Sequence, residues 1–207
     1  MDFEHESDAY PGWLTLLAGR GREEYLLGLR GPFLLCLVLL VSCFAFGYAF
    51  SNRVSPDFFG ELFGDLPMLE ESDVLGLTVF IFVNNAFKVL LWMVLGVFFG
   101  LAPLFFVLVN GFVLGLVVHS FSDIVGPWIV WLSILPHGIV EIPCTVLGAA
   151  MGVRLGYAFI GRLRGRSGLS AGVAAALGLY ARRVAPGLLL AAVLESFVTP
   201  AILRLFA

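Results

Sequence analysis

An all-α bundle of about five transmembrane helices is the fold that the sequence predicts, and three observations support it. Hydrophobic residues make up 60% of the 207 residues, whereas charged residues make up only 13%. The mean hydropathy of +0.99 lies far above the range of soluble globular domains. The apolar residues also form stretches near the ~20 residues that a helix needs to cross a bilayer. We therefore expect a multi-pass plasma-membrane protein, with the lipid bilayer as a partner.

The first half of the chain is predicted to contain a surface helix and two spans. Residues 1–30 mix leucine and aromatic residues with charged ones, a pattern typical of an amphipathic segment at a membrane surface. A first, uncharged span is predicted over residues 33–50. An acidic loop over residues 52–73 follows, and a second span is predicted over residues 77–99.

The third span is predicted over residues 104–119, directly after a tight turn over residues 100–103 that contains glycine and proline. Because this connection is so short, the second and third spans should form an antiparallel helical hairpin. A second short loop is predicted over residues 121–126.

The fourth apolar region, residues 127–157, is too long for one straight span and contains Pro136 and Pro143. One interpretation is a single kinked helix that carries His137 near mid-depth. The other, which we favour, places the two tryptophans of this region in the outer interface and starts the true span at Pro136. It predicts a proline-broken fourth segment with its span over residues 136–157.

The last part of the chain is predicted to form a basic segment over residues 158–183 and a final span over residues 186–206. A short helix of small residues is expected inside the basic segment, over residues 171–180. Residues 31–207 should form a single membrane domain.

The arginines predict the orientation of this domain. Nine of them fall on the side of the N-terminus and the basic segment, and two fall on the other side. By the positive-inside rule, the N-terminus and the amphipathic segments should be cytoplasmic. The arginines lie beside apolar stretches without interleaved exposed aromatic residues, so we expect no nucleic-acid partner.

Every predicted span except the first contains polar side chains. An ionised residue at the centre of a spanning helix costs roughly 2.5–3.5 kcal/mol on insertion scales, so such groups usually face a bundle interior or a hydrated path. The seven residues of the predicted intramembrane polar cluster are Asn84, Asn85, Lys88, Asn110, His137, Glu141 and Glu195. We expect them to gather inside the bundle, with Lys88 paired to Glu141 or Glu195.

Three interpretations of this cluster stay open. It can be a structural polar core that fixes helix register, a path or site for an ion, a proton or a lipid headgroup, or a hydrolytic site. His137 and Glu141, one helical turn apart, could supply two metal ligands, but a catalytic zinc commonly has three protein ligands. The spans offer only His119 as a further histidine. We therefore expect no metal, no cofactor and no catalytic residue.

Small residues predict close packing of the helices. Glycines four residues apart share a helical face, which lets two helices approach closely within the bundle or between subunits. The chain contains three such sets: Gly96 with Gly100, Gly111 with Gly115, and Gly148 with Gly152 and Gly156. The cysteines all lie in apolar stretches and are predicted to be plain core residues: Cys36, Cys43 and Cys144.

Four segments resemble the stage II sporulation protein M family in their order and spacing. They are residues 82–88, 110–111, 135–143 and 190–200, and the similarity extends from about residue 31 to the end. The resemblance implies a five-span membrane protein without established enzymatic activity. In spore formers the namesake is linked to engulfment, as a membrane partner of peptidoglycan-degrading proteins. The positions carried over by motif match are Asn84, Asn85, Asn110, His137, Glu141 and Glu195.

Together these observations lead to two functional expectations. The first is a non-enzymatic, homodimeric membrane scaffold that recruits other envelope proteins or remodels the bilayer. The alternative is a transporter or channel-like protein that moves an ion, a proton or a lipid through the polar cluster. An intramembrane hydrolase is a remote third option.

Overall fold

A computed structural model of the chain describes residues 25–54 and 73–205. These two ranges are almost entirely helical and contain no strand. Five helices in them are long and apolar enough to cross a membrane, which confirms the predicted fold class. They are Tyr25–Arg53, Val74–Leu95, Leu101–Val125, Pro127–Leu163 and Leu169–Ile202. Most of the predicted N-terminal amphipathic segment and of the acidic loop lies outside the described residues.

The first two spans begin close to their predicted positions. Helix α1 covers Arg30–Phe50 and continues into a single 3-10 turn, Ser51–Arg53. Helix α2 covers Val74–Leu95, and the Asp73 carboxylate caps it by accepting a hydrogen bond from the Gly76 N–H at 2.8 Å. A turn over residues 96–100 then reverses the chain, with Gly100 in the left-handed region at φ +73°.

Helix α3 covers Leu101–Val125, six residues longer at its end than predicted. The loop predicted over residues 121–126 is therefore wrong, since only Gly126 separates α3 from the next helix. Gly126 makes this corner with φ +91°, a conformation that is costly for any residue with a side chain.

Helix α4, Pro127–Leu163, is unbroken over 37 residues and rises ~55 Å. The prediction that the fourth segment breaks at Pro136 is therefore wrong; the single-helix interpretation holds. A proline inside a helix removes one N–H donor and crowds the preceding turn, and neighbouring helices can then bond to the freed backbone. The carbonyl that Pro136 leaves without its helical donor is that of Leu132, and the adjacent carbonyl of Ser133 accepts a hydrogen bond from the Thr199 hydroxyl at 3.2 Å.

The predicted last span and the part of the predicted basic segment from residue 169 onward form one helical run, Leu169–Ile202. Helix α5, Leu169–Leu179, continues through a π turn, Tyr180–Val184, into α6, Ala185–Val193. A second π turn, Leu194–Val198, leads into α7, Thr199–Leu203.

The expected separation of the short helix over residues 171–180 from the last span is therefore wrong. Each π turn ends two residues before a proline, Pro186 or Pro200. The wider turn relieves the clash that a proline ring makes with the preceding carbonyl, so the helix continues instead of ending.

Helix α4 is the central element, because it packs against α1, α2, α3, α5, α6 and α7. The glycine faces make these close contacts. A Cβ on Gly152 would press on the backbone of Met93, and a Cβ on Gly156 would overlap the backbone of Gly100.

The contact between α1 and α3 follows the same rule. A Cβ on Gly111 would overlap the carbonyl of Leu40, and a Cβ on Gly115 would overlap the carbonyl of Phe44. Because later residues of α3 meet later residues of α1, the two helices run parallel. The packing role predicted for the glycines is thus fulfilled inside the chain.

Candidate intramembrane polar site

Three ionisable side chains from two helical runs meet beside α4. His137 and Glu141 lie one turn apart on α4, and Glu195 comes from the second π turn. One ligand atom of each residue lies within 4.8 Å of the other two, and all three side chains are half-buried. We call these three residues the His–Glu–Glu cluster.

The second π turn sets the position of Glu195. A π turn adds one residue to a helical turn and so rotates the following side chains around the helix, and such turns often occur at functional sites. Thr199 follows this turn, and its hydroxyl donates to the carbonyl of Ser133, one turn before His137. The residue that follows the π turn is thus bonded to the part of α4 that carries the cluster.

A small cavity of about 130 Å³ lies against His137 and Glu141. Asn110 of α3 and Thr145 of α4 line it with polar groups, and Leu40 of α1 closes it on the apolar side. The Asn110 side-chain amide donates to the carbonyl of Phe106 at 2.7 Å, which fixes its orientation. Because each water of the liquid occupies ~30 Å³, the cavity can hold a few water molecules.

An apolar groove of about 450 Å³ adjoins this cavity between α1, α3 and α4. Leu40, Leu114 and Ile134 line both spaces, so the polar cavity and the groove lie side by side. The cavity has polar groups in its wall, whereas the groove is lined almost entirely by hydrocarbon.

Within the described residues, the imidazole of His137 is incompletely bonded. Its Nδ1 is buried and has no hydrogen-bond partner there. Burying a polar group without a partner costs roughly 1–3 kcal/mol in proteins. The cluster therefore keeps a donor or acceptor available for a group that the described residues do not supply.

Lys88 does not form a direct ion pair with either glutamate. Its neighbour Val89 packs on Gly148, seven residues along α4 from Glu141. Among the described residues Lys88 forms no ion pair, and its side chain is exposed. The predicted pairing of Lys88 with Glu141 or Glu195 is therefore wrong, since Val89 and Met93 take the α2 face that contacts α4.

The seven predicted residues thus divide into two groups. Asn110, His137 and Glu141 line one cavity, and Glu195 joins the last two in the His–Glu–Glu cluster. The other three, Asn84, Asn85 and Lys88, lie on α2 outside that cavity.

Asn84 and Asn85 are half-buried, and the Asn84 side-chain amide donates to the Asn85 side-chain oxygen at 3.5 Å. Sequence reasoning missed Thr145 and Thr199, because threonine is common in apolar helices and gives no local signal of a site.

Five long apolar helices with a few polar side chains between them place the chain among helical membrane proteins. The family model described as Stage II sporulation protein M matches residues 36–200, which contain all seven predicted polar residues. The chain therefore belongs to the stage II sporulation protein M family, a family of membrane proteins. Comparison with curated proteins and with solved structures gave no match.

Proposed function

We propose that this protein is a transporter or channel-like membrane protein that moves a proton or a small cation through the His–Glu–Glu cluster. The convergence of His137, Glu141 and Glu195 within 4.8 Å carries the proposal. Ionisable groups inside apolar helices are costly, and in membrane proteins they commonly mark ion and proton pathways. A purely structural polar core would be expected to bond its members to one another, whereas His137 keeps a buried nitrogen without a partner among the described residues.

The depth of the cluster supports the same function. His137 lies ten residues after Pro127, or ~15 Å from the start of α4. If the Gly126 corner lies at one membrane surface, this distance is half of the ~30 Å hydrocarbon thickness. Transporters commonly bind their ions near the midplane, at irregular positions of the helices. Both helical runs of the cluster have such a position, because Pro136 directly precedes His137 and a π turn contains Glu195.

Flux measurements test this function. Purified protein in proteoliposomes should pass protons or a small cation, read with pH-sensitive or ion-sensitive dyes inside the vesicles. Glu141→Gln should abolish the flux without reducing insertion. Asp123→Asn is the matched control, because Asp123 is an exposed carboxylate that faces His119 outside the cluster, and it should leave the flux unchanged. Equal flux through wild type and Glu141→Gln, or no flux of any cation, would contradict the proposal.

A membrane scaffold is the second candidate, and the length of α4 favours it. Its ~55 Å exceeds the ~30 Å hydrocarbon core, so about 25 Å extends beyond it. The far end of α4 bears Arg162 and leads to the exposed Arg164 and Arg166. This projecting basic end, formed by α4 and α5, offers a surface for partner envelope proteins or for a second copy of the chain.

The scaffold has its own test. Native membranes solubilised gently should yield a complex larger than the 22.5 kDa chain. Replacing Arg162, Arg164 and Arg166 with glutamine should reduce the complex to the single chain. Co-expression of two differently tagged copies would show whether the partner is a second copy. A single chain in both preparations would exclude the scaffold.

We further propose that the protein lies in the plasma membrane with its N-terminus in the cytoplasm. The support is the concentration of arginines along α4, the following turn and the first π turn: Arg154, Arg162, Arg164, Arg166, Arg182 and Arg183. Cysteines introduced singly at Ser167 and at Asn52 test it. In intact cells a membrane-impermeant thiol reagent should label the second and not the first, and the reverse pattern would invert the topology.

A further inference from the structure

We infer that His137, Glu141 and Glu195 bind one divalent transition-metal cation. This inference rests on the function proposed above, because it names the kind of cation that the cluster would hold. It goes beyond the sequence, which offered only two ligands at helical spacing. The structure adds Glu195, 54 residues further along the chain than Glu141, as the third.

The geometry fits a common metal ion. Nitrogen and oxygen ligands lie about 2.0–2.2 Å from Zn²⁺, so two ligands of one ion cannot be more than ~4.4 Å apart. The three ligand atoms already lie within 4.8 Å of one another. Side-chain rotations that move each ligand atom by less than ~1 Å would therefore bring all three onto one ion, without movement of a helix.

The charges also fit a divalent ion. Two carboxylates close together in apolar surroundings repel each other, and Lys88 forms no ion pair with either of them. One dication neutralises both charges at once. It would also use a nitrogen of His137, whose Nδ1 is buried without a partner among the described residues. The half-buried donor set and the unpartnered imidazole nitrogen both fit a bound dication.

The donor atoms indicate which metals are preferred. Imidazole nitrogen suits Zn²⁺, and carboxylate oxygen suits Mn²⁺ as well as Mg²⁺ and Ca²⁺, but Mg²⁺ and Ca²⁺ are usually held by oxygen atoms alone. The cluster offers one nitrogen and two carboxylates. We therefore expect Zn²⁺ or Mn²⁺ rather than Mg²⁺.

The adjoining cavity leaves room for water at the coordination positions of the metal that the protein does not fill. A catalytic or exchanging zinc site keeps at least one position for water, whereas a structural site is closed by four protein ligands. Three protein ligands leave that position open here. The cavity of about 130 Å³ beside His137 and Glu141, with Asn110 and Thr145 in its wall, can hold the coordinated water.

Metal binding can be measured directly on the full-length chain in lipid nanodiscs. After treatment with a chelator, ZnCl₂, MnCl₂ or MgCl₂ is titrated by calorimetry, and the bound metal is counted by elemental analysis. We expect one Zn²⁺ or Mn²⁺ per chain and no uptake of Mg²⁺. His137→Ala, Glu141→Gln and Glu195→Gln should each weaken Zn²⁺ binding at least tenfold.

A matched control lies inside the same chain. His119 and Asp123 are also one helical turn apart, at 3.4 Å, but they lack a third ligand among the described residues. His119→Ala should leave Zn²⁺ binding unchanged. Loss of binding in His119→Ala as large as in His137→Ala would overturn the inference, as would wild-type protein that binds no metal.

A spectroscopic measurement separates coordination from a loss of folding. Co²⁺ bound in the cluster should show d–d absorption bands of a nitrogen and oxygen site, and Glu141→Asp, which keeps a carboxylate, should shift these bands. Identical bands in both proteins would place the ion elsewhere and overturn the inference.

The two proposals fail in different ways. Proton flux that Glu141→Gln abolishes in protein that binds no metal would leave the proposed function standing and remove this inference. If the cluster binds metal but the protein passes no cation, the metal site stands and the proposed transport function fails. The bound ion would then be structural.

Discussion

The guanidinium of Arg154 lies over the ring of Tyr25. Its Cζ is 4.3 Å from the centroid of the Tyr25 ring, and its Nη1 donates to the Tyr25 carbonyl at 2.5 Å. These two contacts join the segment before α1 to the far end of α4, 129 residues further along the chain. A hydrogen bond from a charged donor contributes roughly 1.5–3 kcal/mol, and a cation–π contact roughly 0.5–2 kcal/mol.

Arg154→Ala should therefore release this segment. We expect the local opening free energy of residues 25–29 to fall by about 2 kcal/mol, so that their amide exchange becomes ~30-fold faster. Hydrogen exchange followed by mass spectrometry measures this. Arg162→Ala is the control, since Arg162 is exposed at the end of α4, and it should leave these amides unchanged. Unchanged exchange in Arg154→Ala would show that other contacts hold the segment.

Gly156→Val should destabilise the contact between α4 and the turn that follows α2. Any Cβ at this position would overlap the backbone of Gly100 and Phe99, and backbone atoms cannot move aside as a flexible side chain can. Overpacking of this kind costs typically 1–3 kcal/mol.

Denaturation in mild detergent measures the change. Gly161→Ala, on the same helix, meets nothing closer than 3.8 Å and should be neutral or slightly stabilising. Equal stability of the two variants would mean that α4 and the turn are farther apart than described.

Tyr180→Phe should remove one bond between the first π turn and α2. The Tyr180 hydroxyl donates to the carbonyl of Ala86 at 2.7 Å. Hydrogen bonds between membrane helices contribute ~0.6 kcal/mol on average, and up to ~1.7 kcal/mol. We expect a loss of unfolding free energy in that range. Tyr157→Phe provides the comparison, because the Tyr157 side chain is 57% exposed, and it should have no effect.

Ser51 and Ser120 should be energetically coupled. Their hydroxyl oxygens are 2.7 Å apart and join the end of α1 to α3. A double-mutant cycle with Ser51→Ala, Ser120→Ala and the double variant should give a coupling free energy of about 0.5–1 kcal/mol. Additive losses would show that the two hydroxyls do not bond to each other.

Relationships inside one helix could be predicted from the sequence. His137 and Glu141 share a face because they are four residues apart, and the same spacing predicted the glycine faces. The pairing of Lys88 with a glutamate could not be predicted, because it depends on how α2 is rotated and shifted against α4. Packing of Val89 and Met93 on the small residues of α4 decides that rotation and leaves Lys88 outside.

Helix ends were harder to predict than helix centres. Pro136 and Pro186 were predicted to begin spans, yet each lies inside a helical run, as Pro143 and Pro200 do. A proline weakens a helix by a few kcal/mol, and contacts with neighbouring helices can offset that cost. Near Pro136 the Thr199 hydroxyl supplies such a contact, and at Pro186 and Pro200 a π turn removes the steric clash.

The sequence by itself determined that this is an all-α membrane-type protein with five long apolar helices, and that ionisable groups lie inside four of them. These properties follow from composition and from the spacing of residues along the chain, and neither depends on tertiary contacts. Only the tertiary structure decided that Glu195 joins His137 and Glu141 while Lys88 does not, and that the glycine faces are used within the chain. The physical reason is that distances between helices depend on close packing over the whole bundle, and a single π turn is enough to change which side chain faces the site.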